Sequence, residues 1–397
     1  MSCLSKRISR LAVSQTLAMS AKSRELKAQG KDVINLSVGE PDFFTPDVVK
    51  DAAKQAIDNN VSFYAPVPGF QELREAITEK LKRDNNLEYS ADQIVVSTGA
   101  KHSLANVMLS MIDEGDEVVI PAPYWVSYIE QVKLADGTPV VVETSQENEF
   151  KITPEQLDQA ISKNTKIFML CSPSNPTGSI YSVEELGQLV EVLKKYPDVY
   201  IISDEIYEYI NFVGEHASIA SYSEIKDRVI IINGVSKGYA MTGWRIGYIA
   251  APKEIAAACN KLQGQMTSGA CSVAQMAALE AIGNPNSTSK DMIDTFKRRR
   301  DMVYELINDV PGWKVNLPKG AFYFLPDISW YFGKTVNGVT FNSAMDLCMY
   351  ILENAGVAIV PGEAFGVPTT VRLSYAASDE SLKDAFRRIK EALKDAK

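Results

Sequence analysis

Short runs of β-branched and apolar residues recur along this chain, at Ile94–Ser97, Glu117–Ile120, Pro139–Val142, Lys166–Leu170, Val199–Ile202, Val229–Ile232 and Ile246–Ala250. Stretches of helical pattern lie between them. That alternation predicts an α/β fold. Runs as uniformly apolar as Val229–Ile232 are expected where helices cover both faces of a mostly parallel sheet. Intervening stretches such as Ser182–Lys195 are long enough for crossover helices. We therefore expect a mostly parallel central sheet in a large domain over 48–285. Beyond a polar break at Asn284-Pro285-Asn286-Ser287 come a charged helix-like stretch, strands at Ala321–Leu325, Val357–Val360 and Val371–Ser374, and a closing amphipathic helix from about Asp379. Residues 1–47 and 286–397 are expected to form a smaller α/β domain.

A chain of 397 residues has room for two or three such units and a large core. Its 41 basic and 50 acidic residues leave a net charge of −9, the wrong sign for gripping a phosphate backbone, so no nucleic-acid partner is expected. No apolar run approaches the roughly 20 residues of a membrane-spanning helix, so no membrane partner is expected either. Five cysteines (Cys3, Cys171, Cys259, Cys271 and Cys348) show no C-x-x-C, and only two histidines are present, so no metal site is expected. This pattern fits a reducing compartment. The N-terminus carries Lys6, Arg7 and Arg10 but lacks the apolar core of a secretory signal, and it reads as part of the mature fold.

In an open α/β sheet, ligands bind beyond the carboxyl ends of the strands, so the polar residues after each strand are the candidates for chemistry. Ile94–Ser97 runs into Thr98-Gly99-Ala100-Lys101, small residues opening a helix whose amides and dipole suit a phosphate. Lys166–Leu170 precedes Ser172-Pro173-Ser174-Asn175-Pro176-Thr177-Gly178, a rigid turn presenting an asparagine. Val199–Ile202 leads to Ser203-Asp204-Glu205-Ile206-Tyr207, a carboxylate at a strand end with a phenol three residues on. Val229–Ile232 leads to Asn233-Gly234-Val235-Ser236-Lys237-Gly238, with Arg245 eight residues past the lysine. One rim thus collects an anion cradle, an Asn, an Asp, a Tyr, a Lys and an Arg. Pyridoxal phosphate catalysis needs this set: an amine to hold the cofactor, a carboxylate to keep its pyridine nitrogen protonated, and cations for its phosphate.

The chain resembles the class I aminotransferases, in particular the aspartate aminotransferases related to prephenate aminotransferases. The likeness covers nearly the whole chain and rests on Gly39-Glu40-Pro41-Asp42, Tyr64-Ala65-Pro66, Thr98-Gly99-Ala100-Lys101, Tyr124-Trp125-Val126-Ser127-Tyr128, Asn175-Pro176-Thr177-Gly178, Ser203-Asp204-Glu205-Ile206-Tyr207, Ser236-Lys237, Gly243-Trp244-Arg245-Ile246-Gly247-Tyr248 and Val371-Arg372-Leu373-Ser374-Tyr375. It implies a fold type I pyridoxal phosphate enzyme with pyridoxal 5'-phosphate as cofactor. By this resemblance Lys237 carries the cofactor covalently, Asp204 pairs with its pyridine nitrogen, Tyr207 and Asn175 contact the ring oxygen, and Trp125 stacks on the ring. Arg245, with Gly99, Ala100 and Lys101, would hold the phosphate. Arg372, helped by Asn175 and the Gly39 backbone, would grip the substrate's α-carboxylate, while Thr16 and Lys101 match positions that contact a distal carboxylate. Tyr64 would reach the phosphate of a neighbouring subunit, which implies a homodimer. The chain departs from the family at Gly238-Tyr239, where Ala-Phe is common, and at Gly234, where many relatives carry a phosphate-binding serine. Because the likeness begins near Leu4, no cleavable extension is expected, which fits the cytoplasm or an already trimmed organellar form.

The implied reaction is ping-pong transfer of an amino group between aspartate or glutamate and a 2-oxo acid. Prephenate or an aromatic partner in addition stays open, because Thr16 and Lys101 suit any second carboxylate. A C–S or β-lyase on the same fold is the alternative, although Arg372 with Lys101 argues for a diacid and hence for transamination. Taken singly, each residue has a plainer use: Asp204 as a helix cap, Trp125 and Tyr207 as core aromatics, Arg372 as a solvated strand residue. Only their joint placement overrides those readings. Gly234-x-Ser236-x-Gly238 matches a hydrolase nucleophile elbow, but no histidine follows His216 to complete a triad.

Overall fold

The computed structural model describes residues 3–13, 15–284 and 290–396. Pro285, Asn286 and Ser287 of the expected break, and the domain boundary placed there, lie outside the described residues. Seven strands build the central sheet: β1 (Ile94–Ser97), β2 (Glu117–Ala122), β3 (Thr138–Glu143), β4 (Thr165–Cys171), β5 (Tyr200–Asp204), β6 (Val229–Gly234) and β7 (Gly247–Ala250). Their order is β1-β7-β6-β5-β4-β2-β3. The pairs from β3 through β6 are all parallel. β7 is the exception, antiparallel to both β6 and β1. It starts on the edge where β1 and β6 end, with Gly247 opposite both Ser97 and Gly234. Arg245, two residues earlier, therefore reaches the rim that carries Asp204 and Lys237.

The principal helices are α1 (Gln15–Ala28), α2 (Gln71–Asn85), α3 (Ala100–Met111), α4 (Ser127–Leu134), α5 (Val183–Leu193), α6 (Lys290–Asn308) and α7 (Asp379–Leu393). Period-two alternation sends Val96, Ile201 and Ile231 into one core, with Leu73 and Ile77 of α2 and Leu186 and Leu189 of α5. Val95, Ile202 and Ile230 face a second core, with Leu104 and Val107 of α3 and Val132 of α4. Burial on both faces accounts for the unbroken apolar strands. α5 begins on a reciprocal cap, Ser182 with Glu185, within the stretch expected to be a crossover helix.

A third core joins the two ends of the chain: Met19 and Leu26 of α1 pack with Phe296 and Val303 of α6 and Leu382 and Ile389 of α7. Beside it β8 (Tyr323–Phe324), β9 (Val360–Pro361) and β10 (Val371–Ser374) form an antiparallel sheet in the order β9-β10-β8. Two expected strands change here. Ala321–Leu325 shortens to β8 because Ala321 takes a left-handed φ of 54°. Val357–Val360 divides at Ile359: Val357–Ala358 pairs with Ile34–Asn35, and Val360 belongs to β9. Among the described residues, no helix is long and apolar enough to cross a membrane.

Candidate active site

A cavity of about 710 Å³ opens on the rim of the central sheet. Thr16, Gly39, Ala100, Lys101, Trp125, Asn175, Asp204, Tyr207, Lys237, Arg245 and Arg372 all line it. Two expected site residues do not. Gly99 stands behind the wall, where an added Cβ would fall 2.3 Å from Arg245 Nη2, so only glycine, at φ +83°, lets the guanidinium close on the start of α3. Tyr64 lies away from the cavity and is 98% exposed in the single chain.

Lys237 follows β6 and donates from Nζ to the Gly39 carbonyl at 2.5 Å. Burial, opposed by the charge of Glu40, pushes its ammonium down to about 8. Asp204 is the last residue of β5 and is buried. Its Oδ2 accepts from the Tyr128 hydroxyl at 2.6 Å and its Oδ1 from the Ile206 amide at 3.2 Å. No helix starts after Asp204, so the contact to Ile206 is a local turn and Asp204 is not a helix cap. Burial raises the carboxyl to about 6, with the Tyr128 hydrogen bond opposing. Tyr207 is buried, its hydroxyl 2.7 Å from that of Tyr323, and burial raises its phenol.

Arg372 is 2% exposed, so it is not a solvated strand residue. Its Nη1 donates to Asn175 Oδ1 at 3.1 Å and its Nη2 to the Ser37 carbonyl at 2.6 Å, while Nε is buried without a partner. The guanidinium lies over the rings of Tyr323 (4.6 Å) and Phe365 (5.0 Å). Among the described residues no carboxylate pairs with it. A buried cation so placed is a receptor for an anion, because an unpaired charge is costly to desolvate. Elsewhere on the wall, Lys101 Nζ sits 4.9 Å from the Trp125 ring, its ammonium lowered by burial and by Arg245. Ala100 and Lys101 open α3, so the positive end of that helix's dipole faces the cavity. Thr16 of α1 carries a buried hydroxyl without a hydrogen-bond partner among the described residues.

The family model for aminotransferase class I and II matches residues 31–389. This chain belongs to the class I and II aminotransferases. It is 47% identical to an aspartate/prephenate aminotransferase of Cereibacter sphaeroides, covering 98% of each chain. In structure it is similar to the aspartate aminotransferase of Rhizobium meliloti, with 40% identity, a TM-score of 0.97 and full coverage of both chains. It is also similar to that of Thermus thermophilus solved with maleate, with 40% identity, a TM-score of 0.92, and coverage of 99% of this chain and 100% of the other. The fold type I expectation is borne out.

Several site residues escaped sequence reasoning. Tyr128, Tyr323, Ser20 and Arg24 line the cavity, and the Ser37 carbonyl holds Arg372. Thr16, Ser20 and Arg24 recur every fourth residue on one face of α1, a spacing that was legible. Tyr128 lies in the motif Tyr124–Tyr128, in which nothing points to Asp204, and Tyr323 reads from sequence as a core strand residue. The two departures from the family have local causes. A side chain at Gly234 would meet Gly247 Cα and the Ile246 carbonyl at 2.7 Å each. A Cβ at Gly238 would lie 2.5 Å from the Tyr209 ring, whose hydroxyl accepts from that of Tyr239 at 3.3 Å. Ser236 is buried, and among the described residues the two histidines make their contacts elsewhere, His216 with Glu205 and His102 with the Thr98 amide.

Proposed function

We propose that this aminotransferase moves the amino group of an acidic amino acid, aspartate or glutamate, to a 2-oxo acid by a ping-pong cycle, with pyridoxal 5'-phosphate held on Lys237. The observation that carries the reading is Arg372, a buried guanidinium without a carboxylate, across a cavity whose wall also holds Lys101 and the unpartnered Thr16 hydroxyl. One cation for each carboxylate suits a diacid. The names of the relatives support it, as does the dicarboxylate maleate in the Thermus structure.

The residues fit the cofactor. Asp204 is a buried carboxylate that would suit a protonated ring nitrogen, and Gly99 leaves Arg245 and the start of α3 free to approach a phosphate. When bound, the cofactor supplies the electron sink that allows an α-proton to leave. The chain does the rest. Arg372 and Asn175 orient the α-carboxylate, Lys101 and Thr16 select the distal one, and Trp125 and Tyr207 wall the ring. Lys237 Nζ, with its depressed basicity, is the group that takes and returns the α-proton.

We further propose a homodimer in which Tyr64 completes the partner's phosphate site, a cytoplasmic location, and the division into 48–285 and 1–47 with 286–397. Tyr64, Phe63 and Phe44, all at least 84% exposed, support the dimer. A transamination panel of aspartate, glutamate, prephenate, alanine and tyrosine tests the substrate reading. Aspartate and glutamate should turn over well and alanine poorly, and prephenate turnover would add the second activity. Preference for alanine would overturn the proposal.

A further inference from the structure

The residue after Asp204 opens a buried polar cluster that the reaction does not use. Glu205, 1% exposed, accepts at Oε1 from Ser203 (2.8 Å) and Ser218 (2.6 Å), and its Oε2 lies 3.0 Å from His216 Nε2. The His216 side chain is itself only 6% exposed. One turn on, Glu208 is paired with Lys80 of α2 and accepts from Asn233 (2.8 Å) and Asn85 (3.1 Å). Asn233 in turn accepts from the Gly234 amide at 2.7 Å, at the end of the strand that leads to Lys237. Glu205, Glu208 and His216 place ligating atoms within 4.8 Å of one another, but the Lys80 ammonium already sits on Glu208. Glu208 is thus balanced by Lys80, and the charge left to balance is that of Glu205.

We propose that His216, held protonated against Glu205, is a positioning residue of the cofactor site: it cancels the negative charge that would otherwise oppose ionisation of Asp204. The inference rests on the reading that Asp204 faces the pyridine nitrogen. Two carboxylates in adjacent positions, both buried, cannot both ionise cheaply unless one has a counter-ion. Glu205 already contributes to the raised position of Asp204. The charged groups facing His216 are Glu205, Glu208 and Lys80, and the two carboxylates outweigh burial and Lys80, so the imidazolium is favoured above its ordinary range. Glu205 is correspondingly held low, with His216 as the leading stabilising cause.

The test combines titration with a double-mutant cycle. Only His102 and His216 supply imidazole signals. In the wild-type apoprotein one should titrate above about 6.5 and be absent from His216→Gln. Dissociation constants for pyridoxal phosphate are then measured near neutral pH for His216→Gln, Glu205→Gln and the double variant. With Asp204 at about 6, a one-unit rise there would cut its ionised fraction about twofold near neutral pH and about tenfold near pH 5, where the constants are measured as well. His216→Gln should bind more weakly by those factors, and the double variant should recover most of that loss. Additive losses, or a His216 imidazole titrating below the ordinary value in wild-type protein, would overturn the proposal even if the single variant fails to fold. Asp204→Asn is measured alongside: unimpaired cofactor binding and turnover there would instead refute the assignment of Asp204.

Discussion

Lys237 and Lys101 line one cavity yet owe their reactivity to different surroundings. Burial brings the Lys237 ammonium to about 8, more than two units below an ordinary lysine. Only the neutral amine attacks an aldehyde, so covalent uptake of pyridoxal phosphate by the apoprotein should quicken about tenfold per pH unit up to about 8 and then level off. Stopped-flow absorbance across that range checks it, and a rate still climbing at about pH 10 would show an unperturbed lysine. Lys101 is held against Trp125 and is free to meet a carboxylate. A charge-assisted contact of roughly 1.5–3 kcal/mol is at stake there. Lys101→Ala should lower kcat/KM for aspartate about 10- to 100-fold and barely change alanine. Equal losses on the two substrates would assign Lys101 to the cofactor.

At the scale of elements, the site depends on glycine contacts between β7, β6 and the start of α3. A Cβ on Gly247 would fall 2.1 Å from the Ala100 nitrogen and 2.5 Å from the Gly99 carbonyl carbon. Gly247→Ala must therefore push α3 away from Arg245. Overpacking of this kind costs about 1–3 kcal/mol, so thermal melts should show a lower Tm and cofactor titration a weaker affinity; a variant unchanged in both would contradict the contact. The positions of β1 to β7 were legible because strands buried on both faces read as apolar runs, and Asp204 and Lys237 were legible because they stand at strand ends. What was not legible came from contacts between distant segments. Asn175 and Arg372 are 197 residues apart, and Tyr128 and Asp204 are 76 apart. The antiparallel direction of β7 leaves no trace in its composition, and the pairing of Glu205 with His216 depends on a loop closing back on β5. A left-handed residue such as Ala321 also truncates a strand without any local sign.

For the whole molecule, charge and connectivity both converge on the cavity. The chain carries a net −9, yet Arg24, Lys101, Lys237, Arg245 and Arg372 line the cavity against Glu40 and Asp204. Cations gathered in a cleft of an acidic protein attract small anions while the outer surface repels them. The third core fastens α1, with Thr16, and β10, with Arg372, into one unit, so both carboxylate-binding ends rest on the same packing. The decisive measurement is a single half-reaction: cofactor-loaded protein mixed with L-aspartate in the absence of any 2-oxo acid, with the products quantified against bound cofactor. Transamination should release one oxaloacetate per cofactor, stop there, and leave no free ammonia. Failure to release oxaloacetate from aspartate, together with continued turnover of S-methyl-L-cysteine to pyruvate, ammonia and methanethiol without an acceptor, would identify a lyase and contradict the assignment.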